Sequence, residues 1–369
     1  MSTFAVRVER IRTVEPHDNA DRLEVATLYN KDYTFVVGKG MFVPGQLVIY
    51  FPVDSLLPMS IVEAMGLNDK LAHGTVPAYG DTRLRNRVKT VKLRGVISQG
   101  LVCNMVTLVE IFPMINFWRI GVGHDLTNAL AVNKYEPPVI AMRSGNLHRL
   151  PDMVDHYDIE GAQNHPDIIS YYLMDRPVYI TEKVEGSHWW ATINKAGSIS
   201  VGQRNYEIVD VVDYQHDWHK VLKTQDLEND LKRLWYELFY ADYSIELVTL
   251  RGEITGPKVQ GNYYNLKDHH VFAFEIEVNG RPIPAEKFLD LTQKNQIQSV
   301  PIISTYATLR YWLNGRTVKE AADGKSLIRP EAKREGIVIK PMVEHTDVHL
   351  GGRVLLKQHS LDYLAKSKL

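Results

Sequence analysis

The 369-residue sequence contains a single cysteine, Cys103, and almost no excess of charge of either sign. One thiol can form no internal disulfide, and it is too few for a zinc ribbon or an iron–sulfur cluster. The 43 Lys and Arg balance 44 Asp and Glu, for a net charge of -1. Any nucleic-acid binding must therefore rest on local basic patches. The lone cysteine favours a reducing compartment.

The sequence also lacks a long uninterrupted apolar run. The amino terminus carries Arg7, Glu9 and Arg10, which argues against a signal peptide. The most apolar stretch, 101–120, contains Glu110 and Pro113, and these make a membrane-spanning helix costly. We therefore expect a cytoplasmic protein without a transmembrane segment.

The length and the 44% hydrophobic content favour two packed domains. Short β-rich runs separated by turns occupy residues 4–57 and predict a small antiparallel barrel. A further pair of strands is predicted at 83–95 and 98–106. A polar segment follows at 143–175, and we place the domain boundary near residue 145. Strands alternate with amphipathic helices after residue 178, one helix at 226–242, which predicts an α+β domain.

Basic residues alternate near the end of the first domain. In a strand, alternate side chains share one face, so four cations would line that face and two more would follow. Such a stripe suits a phosphate backbone, but a solvated edge strand protected by charge has the same pattern. The spacing alone does not distinguish a nucleic-acid-binding strand from a solvated edge strand. The six residues are Arg83, Arg85, Arg87, Lys89, Lys92 and Arg94.

Lys183 is the candidate nucleophile of the second domain. It ends an apolar strand and precedes Gly186 in the run TEKVEG. A lysine three residues before a glycine is a weak signal by itself, and Lys92 repeats it. The context of Lys183 is more specific, because five charged residues follow it in similar strand-end settings. They are Arg204, Glu253, Glu275, Glu335 and Lys357.

In this order and spacing, the runs TEKVEG, RGEITG, FAFEI, REGIVIKP and VLLKQHS resemble the motifs of covalent nucleotidyltransferases, the superfamily of ATP-dependent ligases and capping enzymes. The resemblance implies that Lys183 becomes linked to AMP and that pyrophosphate leaves. We expect basic neighbours to depress the pKa of Lys183 and so to supply a free amine.

The resemblance also implies roles for other residues. Glu335 matches the metal-associated carboxylate, which suits Mg²⁺ or Mn²⁺. Lys340 and Lys357 would neutralise charge on the α-phosphate. The fifth motif departs from many relatives, because Leu355 stands where they carry a basic residue and Arg353 lies nearby.

The remaining implied contacts are to the nucleotide. Phe274, or alternatively Phe272, would stack on adenine, with Glu182 beside the purine. Arg204 and Glu253 match positions that hold ribose and phosphate. Val184 and Gly186 complete the nucleotide-binding set.

The resemblance extends to one branch of the superfamily. The run PHDNADRLEVATL looks like the OB modules that bind tRNA in phenylalanyl-tRNA synthetase. The runs RLRNRVKTVKLRGVISQGLV, GHDLTNALAVNKYEPP and HYDIEGAQN look like the fifth family of ATP-dependent RNA ligases. Only 12 residues follow Lys357, so we expect no carboxy-terminal barrel.

The implied fold class is α+β. An OB-type β-barrel that binds nucleic acid spans 1–145, and a nucleotidyltransferase domain of the ATP-grasp-like ligase adenylation type spans 146–369. The implied activity is repair of RNA by sealing 3′-OH/5′-phosphate breaks, with ATP and Mg²⁺ or Mn²⁺ as cofactors. The expected substrate is nicked or broken RNA or RNA/DNA duplex with RNA on the 3′-OH side, since A-form geometry and the 2′-OH distinguish RNA. We expect a monomer.

Two other functions stay open from the sequence. An ATP-dependent DNA ligase would use the same adenylation chemistry. A non-catalytic RNA-binding protein on a ligase scaffold would bind RNA without forming an AMP adduct. The His269–His270 pair and His345 with His349 lack a nearby third ligand, so we assign them no metal-binding role.

Overall fold

The computed structural model describes residues 4–74, 84–135, 145–210 and 216–366. They divide into two compact units. The amino-terminal unit comprises the described residues up to 135 together with 161–171 and 364–366. The carboxy-terminal unit comprises the described residues of 145–160 and 172–363. Among the described residues, no helix is both long and apolar enough to cross a membrane.

The amino-terminal unit is mainly β-structure. Its strands are β1 (Arg7–Pro16), β2 (Leu23–Leu28), β3 (Thr34–Gly38), β4 (Leu47–Phe51), β5 (Ser55–Leu56), β6 (Ala72–His73), β7 (Arg85–Arg87), β8 (Val91–Leu93), β9 (Val96–Ser98), β10 (Leu101–Asn104) and β11 (Asn133–Lys134). Its helices are α1 (Met59–Ala64) and α2 (Val106–Val109), with 3₁₀ turns at Phe117–Arg119 and Ala162–Asn164.

Strand β1 connects two parts of the barrel. Its first half pairs with β4 and its second half with β2, with a register shift between Ile11 and Thr13. Such a bulge bends a strand and lets one sheet curve into a barrel. The five-stranded sheet has the order β10-β4-β1-β2-β3, and a second sheet has the order β11-β5-β7-β6.

Strand β4 lies between two apolar clusters. Ile49 and Phe51 belong to one cluster, whereas Val48 and Tyr50 belong to the other. Alternate residues of a strand point to opposite faces, so LVIYF is apolar throughout because both faces are covered. Cys103 on the neighbouring strand β10 is buried, and burial raises the pKa of its thiol to about 12. Cys103 is therefore a core thiol that carries little reactive thiolate at neutral pH.

The strands predicted at 83–95 and 98–106 form differently from the prediction. The first run is divided into β7 and β8, and β8 pairs with β9. Strand β10 pairs with β4 instead. Arg94 and Gly95 link β8 to β9 with positive φ values of 49° and 101°, the conformation of a tight two-residue hairpin turn.

The strands of the carboxy-terminal unit are β12 (Gly145–His148), β13 (Glu160–Gly161), β14 (Val178–Lys183), β15 (Ser187–Asn194), β16 (Ile199–Gln203), β17 (Tyr206–Asp210), β18 (Leu247–Thr255), β19 (His270–Val278), β20 (Arg281–Pro282), β21 (Ile302–Ser304), β22 (Gly336–Pro341), β23 (Thr346–Asp347), β24 (Gly352–Arg353) and β25 (Leu356–His359). Its helices are α3 (Asp217–Thr224), α4 (Leu227–Ala241), α5 (Ala285–Lys294), α6 (Leu309–Leu313) and α7 (Val318–Ala322). Helix α8 (Leu361–Lys366) and a π-helix at Ile168–Leu173 each contain residues of both units.

Two large antiparallel sheets organise this unit. One has the order β12-β17-β16-β15-β18-β19-β20 and the other β13-β25-β22-β14-β21. Helix α4 buries Leu227, Leu231, Leu234 and Leu238 in the main core, as their helical spacing predicts. The structure thus confirms the predicted fold class, an amino-terminal OB-type barrel and an α+β domain.

Candidate active site

Lys183 stands at the end of strand β14, which lies between β22 and β21 in its sheet. Five of the six residues of this strand are buried, and the Lys183 side chain is half-buried at its end. The turn after Lys183 needs a glycine, because a Cβ at Gly186 would lie 2.4 Å from the carbonyl oxygen of Ile254. The strand and this close approach to β18 fix the position of the main chain from which the Lys183 side chain extends.

Glu335 is the direct partner of Lys183. Nζ of Lys183 donates a hydrogen bond to Oε1 of Glu335 at 2.6 Å. Glu335 directly precedes β22, where a Cβ at Gly336 would lie 2.1 Å from the carbonyl oxygen of Gln358. Oε2 of Glu335 is buried and has no hydrogen-bond partner in the described part of the chain.

The electrostatics of Lys183 reverse the expectation from sequence. Burial lowers the pKa of Lys183, but the negative charges of Glu335, Glu253 and Glu185 outweigh burial, so its pKa lies above the ordinary value. The prediction of a depressed pKa for Lys183 was therefore wrong. Its physical cause is that acidic and not basic groups dominate the surroundings of the amine.

The same cluster perturbs the acids. Burial raises the pKa of Glu253; Lys183 opposes this effect and Glu335 and Glu185 add to it, which gives a value of about 8. Burial also raises the pKa of Glu335, but Lys183 and His359 reverse the effect and leave it below its usual range. The site thus holds the Lys183–Glu335 ion pair beside a carboxyl group, Glu253, whose pKa lies far above its ordinary value.

The sheet register aligns further side chains with Lys183. Lys183 lies opposite Gly336, and Gly336 lies opposite His359. In the next row, Thr181 lies opposite Val338, and Val338 lies opposite Lys357. Directly opposite residues share one face of a sheet, so Lys357 and His359 share the face of Lys183. Burial, followed by the charge of Lys183, lowers the pKa of Lys357.

His359 is a site residue that the sequence motifs did not identify. Its Nε2 lies 3.6 Å from Oε1 of Glu335, the oxygen that also accepts from Lys183. The available sequence signal was the spacing of two from Lys357, which places both side chains on one face of a strand.

Glu182 points to the other face of β14. Its Oε2 accepts a hydrogen bond from the backbone N–H of Leu327 at 2.6 Å, and burial raises its pKa. Its Oε1 is buried without a partner among the described residues. A buried orphan acceptor of this kind fits the donor edge of a bound base.

The two candidate stacking rings have different surroundings. Phe272 is buried in a small apolar cluster with Val184, Tyr264 and Val300, where both Phe272 and Val184 serve packing. Phe274 is half-buried at the edge of this cluster. Its ring centroid lies 5.2 Å from that of Tyr157. Phe274 is therefore the better placed of the two to receive a base.

Arg204 lies within electrostatic reach of Lys357. Its guanidinium pairs with Asp158 at 2.8 Å, and its Nε is buried with no partner in the described residues. Together with the orphan oxygens of Glu182 and Glu335, this donor marks unsatisfied polar groups that a nucleotide could satisfy.

Lys340 does not join this cluster. It lies opposite Tyr179, four residues before Lys183 on β14, and its Nζ is 3.9 Å from Oε2 of Glu275. At roughly 3.3 Å per residue, this places the Lys340 backbone about 13 Å along the strand from Lys183. The position does not support a contact of Lys340 with the α-phosphate.

Arg353 does not replace the missing basic residue at Leu355. Its guanidinium binds both carboxylate oxygens of Glu275, at 2.9 and 2.7 Å, and also binds Glu344. Leu355 itself is buried. The basic stretch of the fifth motif therefore presents Lys357 and His359 to the Lys183 face.

Only part of the basic stripe of the amino-terminal unit is exposed and could contact a phosphate backbone. Arg87 pairs with Asp54 at 2.5 Å and stacks on Tyr135. Lys89 is half-buried, whereas the other three described cations, Arg85, Lys92 and Arg94, are exposed. Arg83 lies outside the described residues.

The histidines assigned no role lie in ordinary contacts. Nε2 of His269 is 2.8 Å from the carbonyl oxygen of Pro257, and His345 stacks on Tyr172. In the described part of the chain, no group of three or more His, Cys, Asp or Glu side chains is arranged to hold a metal ion.

Comparison with known proteins agrees with this geometry. An OB-fold domain family matches residues 5–105, and the RNA ligase family matches residues 176–359. The structure of a Naegleria gruberi RNA ligase with pyrophosphate is 25% identical, with a TM-score of 0.76 over 100% of this chain and 99% of that one. A lysine-to-alanine variant with ATP and Mn is 24% identical, with a TM-score of 0.78 over 99% of each chain. A comparison with curated proteins finds no match.

The chain thus has the architecture of a ligase-type nucleotidyltransferase, an OB-type barrel followed by an α+β domain that carries a strand-end lysine. Residues 176–359 belong to the RNA ligase family, and an OB-fold domain at residues 5–105 precedes them in the chain.

Proposed function

We propose that this protein is an ATP-dependent RNA ligase that acts through a lysyl-AMP at Lys183. The supporting observation is the position of its amine, at the end of β14, bonded to Glu335 and facing Lys357 in a domain of the RNA ligase family. The Naegleria gruberi enzyme has been solved with pyrophosphate, with ATP and Mn, and with AMP and Mn. These are a substrate and products of adenylation.

The first step forms a bond between Nζ of Lys183 and the α-phosphorus of ATP. The bond from that phosphorus to the bridging oxygen breaks, and pyrophosphate leaves with the electron pair. Because the pKa of Lys183 is raised, the ammonium must lose a proton before it attacks. Oε1 of Glu335, at 2.6 Å, is the acceptor beside that proton. Lys357, on the same face, supplies positive charge for the phosphate.

A divalent ion fits the carboxylate of Glu335. Oε2 of this residue is buried and lacks a partner among the described residues, and oxygen ligands suit Mg²⁺ and Mn²⁺. When bound, such an ion supplies positive charge that neutralises phosphate oxygens. Burial raises the pKa of Glu253 to about 8, which reduces the negative charge that this residue presents to the nucleotide near neutral pH.

The nucleotide is held by groups on both faces of β14. Phe274 offers its ring to adenine, and Glu182 offers its orphan oxygen to the purine edge. In this proposal Arg204 and Glu253 contact the ribose and phosphate. Gly186 allows the turn after Lys183 to approach β18 closely, because it has no side chain.

The later steps seal the break. AMP passes to a 5′-phosphate, and a 3′-OH then displaces AMP to form the phosphodiester. The OB domain binds the nucleic acid through its exposed cations Arg85, Lys92 and Arg94, with a smaller share for half-buried Lys89. Arg87 is held by Asp54 and contributes less.

A mass measurement tests the first step. Protein incubated with ATP and Mg²⁺ or Mn²⁺ should gain the mass of one AMP. Lys183→Ala should gain none, whereas Lys195→Ala, which alters a surface lysine paired with Glu246, should react normally. Absence of an adduct over a range of pH and metal ions would leave only the non-catalytic RNA-binding function.

Nick composition tests the substrate. Duplexes with ribose or deoxyribose on each side of the nick should be sealed efficiently when ribose carries the 3′-OH. Equal sealing of an all-DNA nick would instead identify a DNA ligase.

A further inference from the structure

His359 has a place in the site that no motif assigns. Two donor groups approach Oε1 of Glu335: Nζ of Lys183 at 2.6 Å and Nε2 of His359 at 3.6 Å. Gly336, which carries no side chain, separates the two donors across the sheet. The carboxylate thus lies between two partners in one row of one face, on the two strands that flank β22.

The two partners differ in what the reaction does to them. Adenylation converts the Lys183 ammonium into an uncharged phosphoramidate nitrogen, so Glu335 loses its ion-pair partner at that moment. The Glu335 side chain is only 12% exposed, and an unpaired carboxylate with so little access to water is costly. The imidazole of His359 is not consumed by the reaction. A shift of about 0.5 Å would bring its nitrogen to hydrogen-bond distance.

We propose that His359 is a positioning residue that holds Glu335 in place once Lys183 carries AMP. Nε2–H of His359 donates to Oε1, and Oε2 stays directed into the site. A neutral imidazole suffices, because a carboxylate beside Nε2 selects the tautomer that carries its proton there. Sequence motifs cannot show this role, since it depends on the register of three strands.

The proposal predicts that Glu335 depends on His359 only when Lys183 is uncharged. His359→Phe keeps a ring but removes the donor, and His359→Gln returns an N–H near the position of Nε2. In unmodified protein the melting temperature of His359→Phe should be close to that of wild type. In the AMP adduct, purified in a chelator, it should fall by a further 3–8 °C or so. His359→Gln should recover most of this loss.

A second set of variants removes the positive charge of Lys183 by substitution, without adenylation. In a Lys183→Met background, His359→Phe should again cause the larger loss of melting temperature, although this arm needs no ATP. The proposal rests on the proposed ligase function only for the adduct arm. A protein that forms no adduct but shows the extra loss with Lys183→Met would overturn the ligase function and retain the His359–Glu335 interaction.

A comparison of the two reaction steps completes the test. Transfer of AMP from the adduct to a 5′-phosphate should slow roughly 10-fold or more in His359→Phe, with the KM for ATP in the first step unchanged. Equal losses of melting temperature with and without the charge on Lys183 would refute the proposal and show that His359 only packs. So would unchanged AMP transfer.

Discussion

Glu253→Gln should stabilise the folded protein, and most strongly at alkaline pH. The pKa of Glu253 in the folded state is about 8. A glutamate in the unfolded chain has a pKa of about 4.3. The folded state therefore keeps a proton that the unfolded state has released between these two values. The free energy of unfolding contributed by Glu253 must fall as the pH rises through that window.

The magnitude follows from the size of the shift. A difference of roughly 3.7 units, at about 1.4 kcal/mol per unit, sets an upper limit of about 5 kcal/mol. The pKa of about 8 already includes the attraction of Lys183, and the buried amide of the variant keeps a desolvation cost of its own, which lowers the gain. We expect a gain of roughly 1–3 kcal/mol at pH 8.5 and none at pH 4.

Urea unfolding of both proteins between pH 4 and 8.5, in a chelator, measures this difference. Glu246→Gln is the matched control, because Glu246 lies on the surface and pairs with Lys195 there. Its effect should stay near zero at every pH. A stability difference for Glu253→Gln that does not change with pH, or a less stable variant at pH 8.5, would refute the argument.

Three further predictions concern packing and nucleic-acid binding. Arg353→Ala should lower the free energy of unfolding by about 3–5 kcal/mol in urea unfolding, since it removes both close hydrogen bonds of the buried Glu275 carboxylate and leaves only the Lys340 amine at 3.9 Å; a loss below about 1 kcal/mol would contradict this. Gly336→Ala should reduce both stability and adduct formation, whereas Gly352→Ala, whose Cβ meets nothing within 4 Å, should change neither; equal melting curves would count against the tight approach. Lys92→Ala combined with Arg94→Ala should weaken RNA binding and reduce the slope of log affinity against log salt concentration by about 2, with adduct formation and melting temperature unchanged. An unaltered slope in binding titrations would show that the β8–β9 hairpin does not contact RNA.

Much of the site could be predicted from the sequence. The apolar run VYIT ends in a charged pair, which places Lys183 at a strand end, and β14 ends there. The spacing of leucines in 226–242 predicts α4 almost to the residue. These features are local, so neighbouring residues determine them.

The electrostatics could not be predicted, because they depend on which strands meet. Lys340 and Lys357 look equivalent in the sequence, yet the register places Lys357 one row from Lys183 and Lys340 opposite Tyr179. The sign of the Lys183 pKa shift depends on acids from three separate segments. No short sequence window contains that information.

The short strands near residue 85 show a second limit. The alternation of charges predicted one long strand, but β7 ends at Arg87, where Asp54 binds the guanidinium. Charged side chains bury little surface, so their alternation constrains a strand less than apolar alternation does. The ion pair with Asp54 comes from a distant turn and has no local signal.

The hydrogen bonding of β14 limits how the reactive nitrogen can travel. The strand is paired with β22 on one side and β21 on the other. With its main chain held from both edges, Lys183 can move its nitrogen only by rotating side-chain bonds, over a tether of roughly 6 Å. In the proposed reaction, the α-phosphate of ATP and the 5′-phosphate that later accepts the AMP must therefore be brought to nearly the same point. The reactants must move into and out of the site in turn, while the lysine nitrogen stays within the reach of its side chain.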